Sequence, residues 1–266
     1  MDRSVACRFD ASIDGTADIV LSVAVAADAA LASEDLTVTL DGAPINFTEV
    51  ADQHGTRLHV ARQLGPGRLD VAYAASIAGV GAPMTIDDVD LIRYTRPSRY
   101  CESDRLAPFA RAEFGGLKGQ ELLDAVSSWV GMRLVYISGS SRPTDGAVAT
   151  LLAGQGVCRD YAHLVVAILR ACDHPARLAS VYAPGLQPMD FHAVAEAYVD
   201  GRWEVVDATC LAPRTSMVRI ATGRDAADTA FLTSTGDRVD MGWLEVMAIT
   251  DGPLPDDDMT QPVQLG

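Results

Sequence analysis

The sequence predicts an α+β protein in two parts: an antiparallel β-sandwich, then a core whose helices precede an antiparallel sheet. Three observations carry this. Short runs of alternating apolar and polar residues occupy Leu36 to Ile77, and helical spacing takes over from Leu117. An apolar helix opening on Cys158 is then followed by strand-like runs around the turn pair Asp200-Gly201.

In the first part, Leu36–Leu40 runs into Asp41-Gly42, and Thr56–Val60 and Gly67–Ile77 alternate between Gly and Pro punctuation. Alternation at this spacing is the pattern of a sandwich strand set. Thr95–Leu106 is polar and carries Pro97, so it reads as the crossing into the second part. Leu122, Leu123, Val126, Trp129 and Val130 then recur at helical spacing within Leu117–Met132. Ser138–Gly146 is a loop, and Ala147–Leu152 a short helix or turn. From Cys158, the residues Tyr161, Leu164, Val165, Ile168, Leu169 and Cys172 form one broad stripe, and Leu164–Leu169 is apolar all round, as in a buried helix. Strands follow His174-Pro175, ending with Trp243–Thr250, and the last residues read as a loose tail. The expected organisation is therefore 1–95 for the sandwich, 96–250 for the core and 251–266 for the tail.

Composition narrows the function. A chain of 266 residues with 48% hydrophobic and 21% charged residues is globular and has room for two domains. Its formal charge is −15, from 36 acidic and 21 basic residues, and Lys118 is the sole lysine. Such a surface repels nucleic-acid phosphates and anionic membranes, so neither is expected as a partner. The apolar run Ile19–Ala27 is too short to span a bilayer and follows Asp10, Asp14 and Asp18 rather than a cationic segment. With five scattered cysteines (Cys7, Cys101, Cys158, Cys172 and Cys210) and no paired spacing, a reducing, cytoplasmic setting is expected. No metal site is expected: Cys158 and His163 fall off a common helical face, and Cys172-x-His174 lacks a second ligand pair.

The chemistry is legible in a hairpin. Closing the turn on Asp200-Gly201 sets Val199 opposite Arg202, so Asp207 falls opposite Val194 and His192 opposite Thr209. His192 and Asp207 then share a sheet face as diagonal neighbours, roughly 7–8 Å apart along the backbone and within side-chain reach. On its own such a pair is a stabilising ion pair. Cys158 changes the reading, because a helix start offers free N–H groups and partial positive charge that activate a thiol. Gly154 and Gly156 leave room for a carbonyl to approach. A nucleophile, a base and a carboxylate that orients the base make an activated thiol.

The ordered motifs GQGVCRDYAHL, DFHAVAEAY and GRWEVVDAT resemble the transglutaminase-like superfamily, in particular its bacterial cysteine-peptidase-like branch. The resemblance covers Ile92 to Gly236, and RYTRPSRYCESDRL and VRIATGRDAADTAF also look like that branch. It implies a papain-like core behind an N-terminal β domain, with Cys158, His192 and Asp207 as nucleophile, base and orienting carboxylate, and with Gln155 and Gly156 as candidates for the oxyanion and substrate site. It further implies an acyl-thioester formed from a peptide, protein or small amide substrate and passed to water, with no cofactor. Two alternatives stand beside hydrolysis: a true transglutaminase that passes the acyl group to an amine, and a non-catalytic binding module on the same fold. The family's animal members use calcium, but Asp87–Asp90 and Asp256–Asp258 read as solvated acidic turns.

Overall fold

The computed structural model describes residues 1–81 and 86–265. Positions 82–85 of the expected first domain and 266 of the expected tail lie outside the described residues.

The first part contributes β1 (Arg3–Ile13), β2 (Ala17–Leu21), β3 (Leu31–Leu40), β4 (Ala43–Pro44), β5 (Thr48–Ala51), β6 (Arg57–Leu64) and β7 (Gly67–Ile77). Period-two alternation turns one face of each long strand inward. Val5, Cys7 and Phe9 of β1 meet Leu69, Val71 and Tyr73 of β7 in one buried cluster. After α1 (Asp88–Arg93), α2 (Ser103–Phe114) and α3 (Gly119–Arg133) come β8 (Val135–Tyr136), α4 (Ala147–Ala153) and β9 (Gln155–Gly156). The core closes with α5 (Cys158–Ala171), β10 (Ala176–Tyr182), β11 (Phe191–Val199), β12 (Arg202–Val206), β13 (Val218–Gly223) and α6 (Ala226–Thr229). Two further strands follow, β14 (Leu232–Gly236) and β15 (Val239–Thr250).

The core sheet runs β12-β11-β10-β13, and α5 packs across it against β10 and β11. Every residue of α5 from Asp160 to Ala171 is buried, which explains why Leu164–Leu169 is apolar around its whole circumference. Tyr182, Val218 and Ile220 of this sheet join the cluster formed by the sandwich, and the Tyr182 hydroxyl donates to the Val23 carbonyl at 2.8 Å. The two parts therefore share a core.

Four expectations need correction. The stretch 96–250 is not one unit, because β14 pairs with β2 and β15 with β1, giving sandwich sheets ordered β15-β1-β7-β3-β4 and β14-β2-β6-β5. Val246 and Ala248 complete the inner face beside Cys7 and Val5, which gives β15 its place. The crossing segment ends inside a helix not expected from the sequence: α2 starts at Ser103 and runs on through Pro108, with Leu106, Ala110 and Phe114 burying one face of it. The tail is not loose: the β12 edge at Val205 donates to the Val263 carbonyl at 2.8 Å, and Val263 and Leu265 are buried. Nor are the acidic runs merely solvated turns. Asp87 caps α1 through the Val89 N–H, Asp90 is buried 3.3 Å from His54, and Asp257 grips Arg214 at 2.9 Å.

Among the described residues no helix is long and apolar enough to cross a membrane.

Candidate active site

Cys158 is the first residue of α5. The turn before it is tightly built. The Asp160 carboxylate accepts the Val157 N–H at 2.8 Å and the Ser141 hydroxyl at 2.9 Å, so Asp160 is a capping residue and ties the Ser138–Gly146 loop to the helix start. A Cβ at Gly156 would lie 2.6 Å from the Asp160 Cβ, so only glycine lets the chain pass the cap.

The hairpin has the register its turn demands. Asp200 and Gly201 both adopt positive φ, 49° and 84°, and Val199 faces Arg202 in a ladder that continues to Ala195 and Val206. Asp207 leaves the end of β12 and meets His192 of β11: Nε2 and Oδ2 are 3.0 Å apart, with the two side chains 0% and 2% exposed. The other carboxylate oxygen, Oδ1, accepts the Thr209 N–H at 2.9 Å and the Thr209 hydroxyl at 2.7 Å. Thr209 thereby fixes the carboxylate in the orientation that presents Oδ2 to the ring. Nδ1 is buried without a hydrogen bond of good geometry, and the Cys158 thiol is a further partner of the imidazole. Thiol, imidazole and carboxylate are thus brought together.

Electrostatics in this row are strong. Burial disfavours the charged His192 ring, but the Asp207 carboxylate and the Cys158 sulfur outweigh it and push the imidazole up to about 10. Burial likewise opposes ionisation of Asp207, yet His192 and the two Thr209 hydrogen bonds hold its carboxyl below the usual carboxylate range. Burial raises the thiols of Cys7 and Cys101 to about 11 and about 12.

Gln155 is exposed on β9 and does not line the cavity beside Cys158. Instead, the parallel pairing of β8 with β9 sets Tyr136 beside Gly156. The Tyr136 hydroxyl contacts both the Cys158 thiol and the Cys158 backbone N–H, and burial followed by the thiol raises that phenol to about 12. Nothing in the local sequence around Tyr136 announces this, because the contact depends on a two-residue strand pair. Thr209 was readable only as a residue opposite His192.

A cavity of about 430 Å³ opens beside the thiol, its walls including Cys158, His192, Asp190, Tyr100, Phe191 and Phe231. One wall is tied to α5 by His163, which burial pushes down to about 3 and so keeps neutral. Its Nε2 accepts the Ala226 N–H at 3.1 Å while its ring stacks on Tyr100 at 5.2 Å. The segment Gly223–Asp228 thus borders the cavity through Ala226. A larger cavity of about 590 Å³ lies behind Asp207 beside Cys210 and Arg214, and neither Cys158 nor His192 lines it. Among the described residues no group of three or more His, Cys, Asp or Glu is placed to hold a metal ion.

A helix-borne thiol facing a hairpin-borne imidazole and carboxylate, behind a β-sandwich, is an architecture with known relatives. Residues 111–208 match the profile of the Transglutaminase-like superfamily core. The crystal structure of a candidate cysteine protease from Cytophaga hutchinsonii superposes with a TM-score of 0.87 at 30% identity, covering 97% of this chain and 94% of that one. The chain belongs to the transglutaminase-like superfamily. An uncharacterised protein of Mycobacterium leprae is 27% identical over 117 residues, a match spanning 40% of this chain and 41% of that protein's length. The periplasmic domain of TgpA from Pseudomonas aeruginosa shares 18% identity over 75% of this chain and 91% of that one, with a TM-score of 0.41, too low a likeness to bear on function.

Proposed function

We propose that this protein is a cysteine acyl-transfer enzyme that hydrolyses an amide or peptide bond through a Cys158 thioester. The observation that carries this reading is the buried 3.0 Å contact of His192 with Asp207, with the ring's remaining partner being the thiol at the start of α5. The imidazole, raised to about 10, already holds the thiol proton at neutral pH, and the sulfur anion attacks the substrate carbonyl carbon. As the S–C bond forms, the carbonyl π pair moves to oxygen, for which the Cys158 N–H and the Tyr136 hydroxyl beside the thiol would serve as donors. Collapse of this intermediate breaks the C–N bond, and the amine leaves with the proton held by His192. Water then gives a proton to His192 and its oxygen attacks the thioester, releasing the acid and restoring the thiol. Asp207 keeps the ring in place throughout and stabilises its protonated form. Five free thiols, one of them this nucleophile, support a reducing compartment such as the cytoplasm.

The test is to incubate wild type and Cys158→Ala with a library of peptides and simple amides, and to read covalent adducts by intact mass. An acyl adduct on wild type, removed by hydroxylamine and missing from Cys158→Ala, is expected. Turnover that survives in Cys158→Ala would overturn the reading.

A further inference from the structure

The cavity beside Cys158 has walls from both parts of the chain. Tyr100, Phe191 and Ile220 come from the core, while Phe231, Leu232 and Leu244 come from the segment that returns to the sandwich. Phe191 and Phe231 stack across this seam with ring centroids 5.0 Å apart. Leu244 sits on β15 opposite Phe9, and Leu232 on β14 opposite Leu21. Asp190, Arg159 and His192 are the charged side chains among the lining residues. Asp190 is exposed, and its carboxylate accepts the Phe191 N–H at 2.7 Å. The Arg159 guanidinium is occupied by the Ser141 hydroxyl and the Arg142 carbonyl, 3.0 Å away. Beyond these groups the lining is mainly apolar, with Leu178, Phe191, Ile220, Phe231, Leu232 and Leu244 beside the hydroxyls of Ser22, Ser180 and Thr229.

From this arrangement we infer that the cavity is a specificity pocket for a bulky apolar side chain, aromatic or large and branched, flanking the scissile carbonyl. The sandwich is then part of the substrate site rather than an accessory to it. The inference rests on Cys158 as the acyl acceptor, since the pocket matters only if the carbonyl is delivered to that sulfur. Its physical basis is direct. Rings and branched side chains gain most from leaving water for an apolar pocket, whereas a cationic or anionic side chain would lose its hydration with no partner among Phe191, Ile220, Phe231, Leu232 and Leu244. The pocket is continuous with Cys158 and His192, so an occupant there holds its neighbouring carbonyl at the nucleophile.

The experiment compares second-order labelling rates of Cys158 with acetyl-amino-acid chloromethyl ketones carrying Gly, Asp, Lys, Leu or Phe. Each rate is divided by the iodoacetamide rate of the same protein, so that intrinsic thiol reactivity cancels. The Phe and Leu probes are expected to exceed the Gly, Asp and Lys probes at least tenfold. Leu244→Asp, at a partly exposed position, and Ala230→Phe, which fills the cavity, should each collapse that ratio; the second variant serves if the first folds poorly. Equal normalised rates for all five probes, with iodoacetamide still selecting Cys158, would overturn the pocket and leave the nucleophile standing. Iodoacetamide labelling that fails to favour Cys158 over the other four thiols would overturn the nucleophile, and the pocket with it.

Discussion

The His192 ring reaches Asp207 through Nε2 at 3.0 Å while Thr209 holds the other carboxylate oxygen from 2.7 and 2.9 Å. The carboxylate thus has one oxygen committed to its own backbone turn and one to the imidazole. Asp207→Asn keeps the shape but replaces an acceptor with a group that can donate, which inverts the proton pattern at Nε2. Turnover should fall by about 10²–10⁴-fold, with the melting temperature and KM little changed. Steady-state kinetics on the trapped substrate class check this; a loss below tenfold would remove Asp207 from its orienting role.

Charge on the same ring can be read directly. Because burial is outweighed by Asp207 and the thiol, His192 should stay doubly protonated at neutral pH and titrate near pH 10. The folded value lies above the ordinary 6.5, so this group's contribution to stability is full below pH 6.5 and is lost as pH rises through about 10. Nitrogen-15 NMR of the imidazole gives the midpoint, and Asp207→Asn should move it downward.

Glu196 predicts the acid side. Burial opposes its ionisation, but Arg177 at 2.8 Å and Arg219 at 2.8 and 2.9 Å hold the carboxyl down to about 2. Its stabilising contribution is present above the ordinary 4.5 and drains away as pH falls toward about 2. Glu196→Gln should cost about 3–5 kcal/mol at neutral pH, since it strands two buried cations. The variant should also lose the corresponding part of the slope between pH 4.5 and 2 in urea titrations.

Gly156→Ala tests the cap. The added Cβ would sit 2.6 Å from the Asp160 Cβ, forcing the carboxylate away from the Val157 N–H. We expect a loss of about 1–3 kcal/mol together with slower alkylation of Cys158. Differential scanning fluorimetry and timed iodoacetamide mapping report the two effects separately.

The acyl-enzyme's fate is settled by competition. Water needs no binding site, so with millimolar primary amine present the acid should remain the major product. Chromatographic separation of acid from amide measures the ratio, and a majority of amide would make the enzyme a transferase.

Much of the site was legible because its parts are local. The Asp200-Gly201 turn sets a register that period-two alternation carries outward to His192 and Asp207, and Cys158 is marked by the glycines before its helix. What escaped depends on distant pairing. Alternation tells which face of Val239–Thr250 is buried but not that β1 is its neighbour. Tyr136 reaches the thiol only because β8 and β9 pair over two residues, and the same pairing leaves Gln155 exposed. Helix α2 was obscured because Pro108 reads as a helix breaker, although Leu106, Ala110 and Phe114 recur at helical spacing and anchor it on α5.

Arg3 pairs with Thr250 at one end of the β1–β15 ladder, so these neighbours in the sheet lie far apart in sequence, with the whole core between them. On the ribosome, β1 emerges long before its outer neighbour exists, and its free edge stays open while the thiol-bearing core is being made. Closure of the sandwich therefore follows synthesis of the core, and the pocket wall carrying Leu232 and Leu244 arrives with it. A nascent chain halted after β13 would carry Cys158, His192 and Asp207 without that wall: a thiol with its base, but without the surface that chooses what it meets.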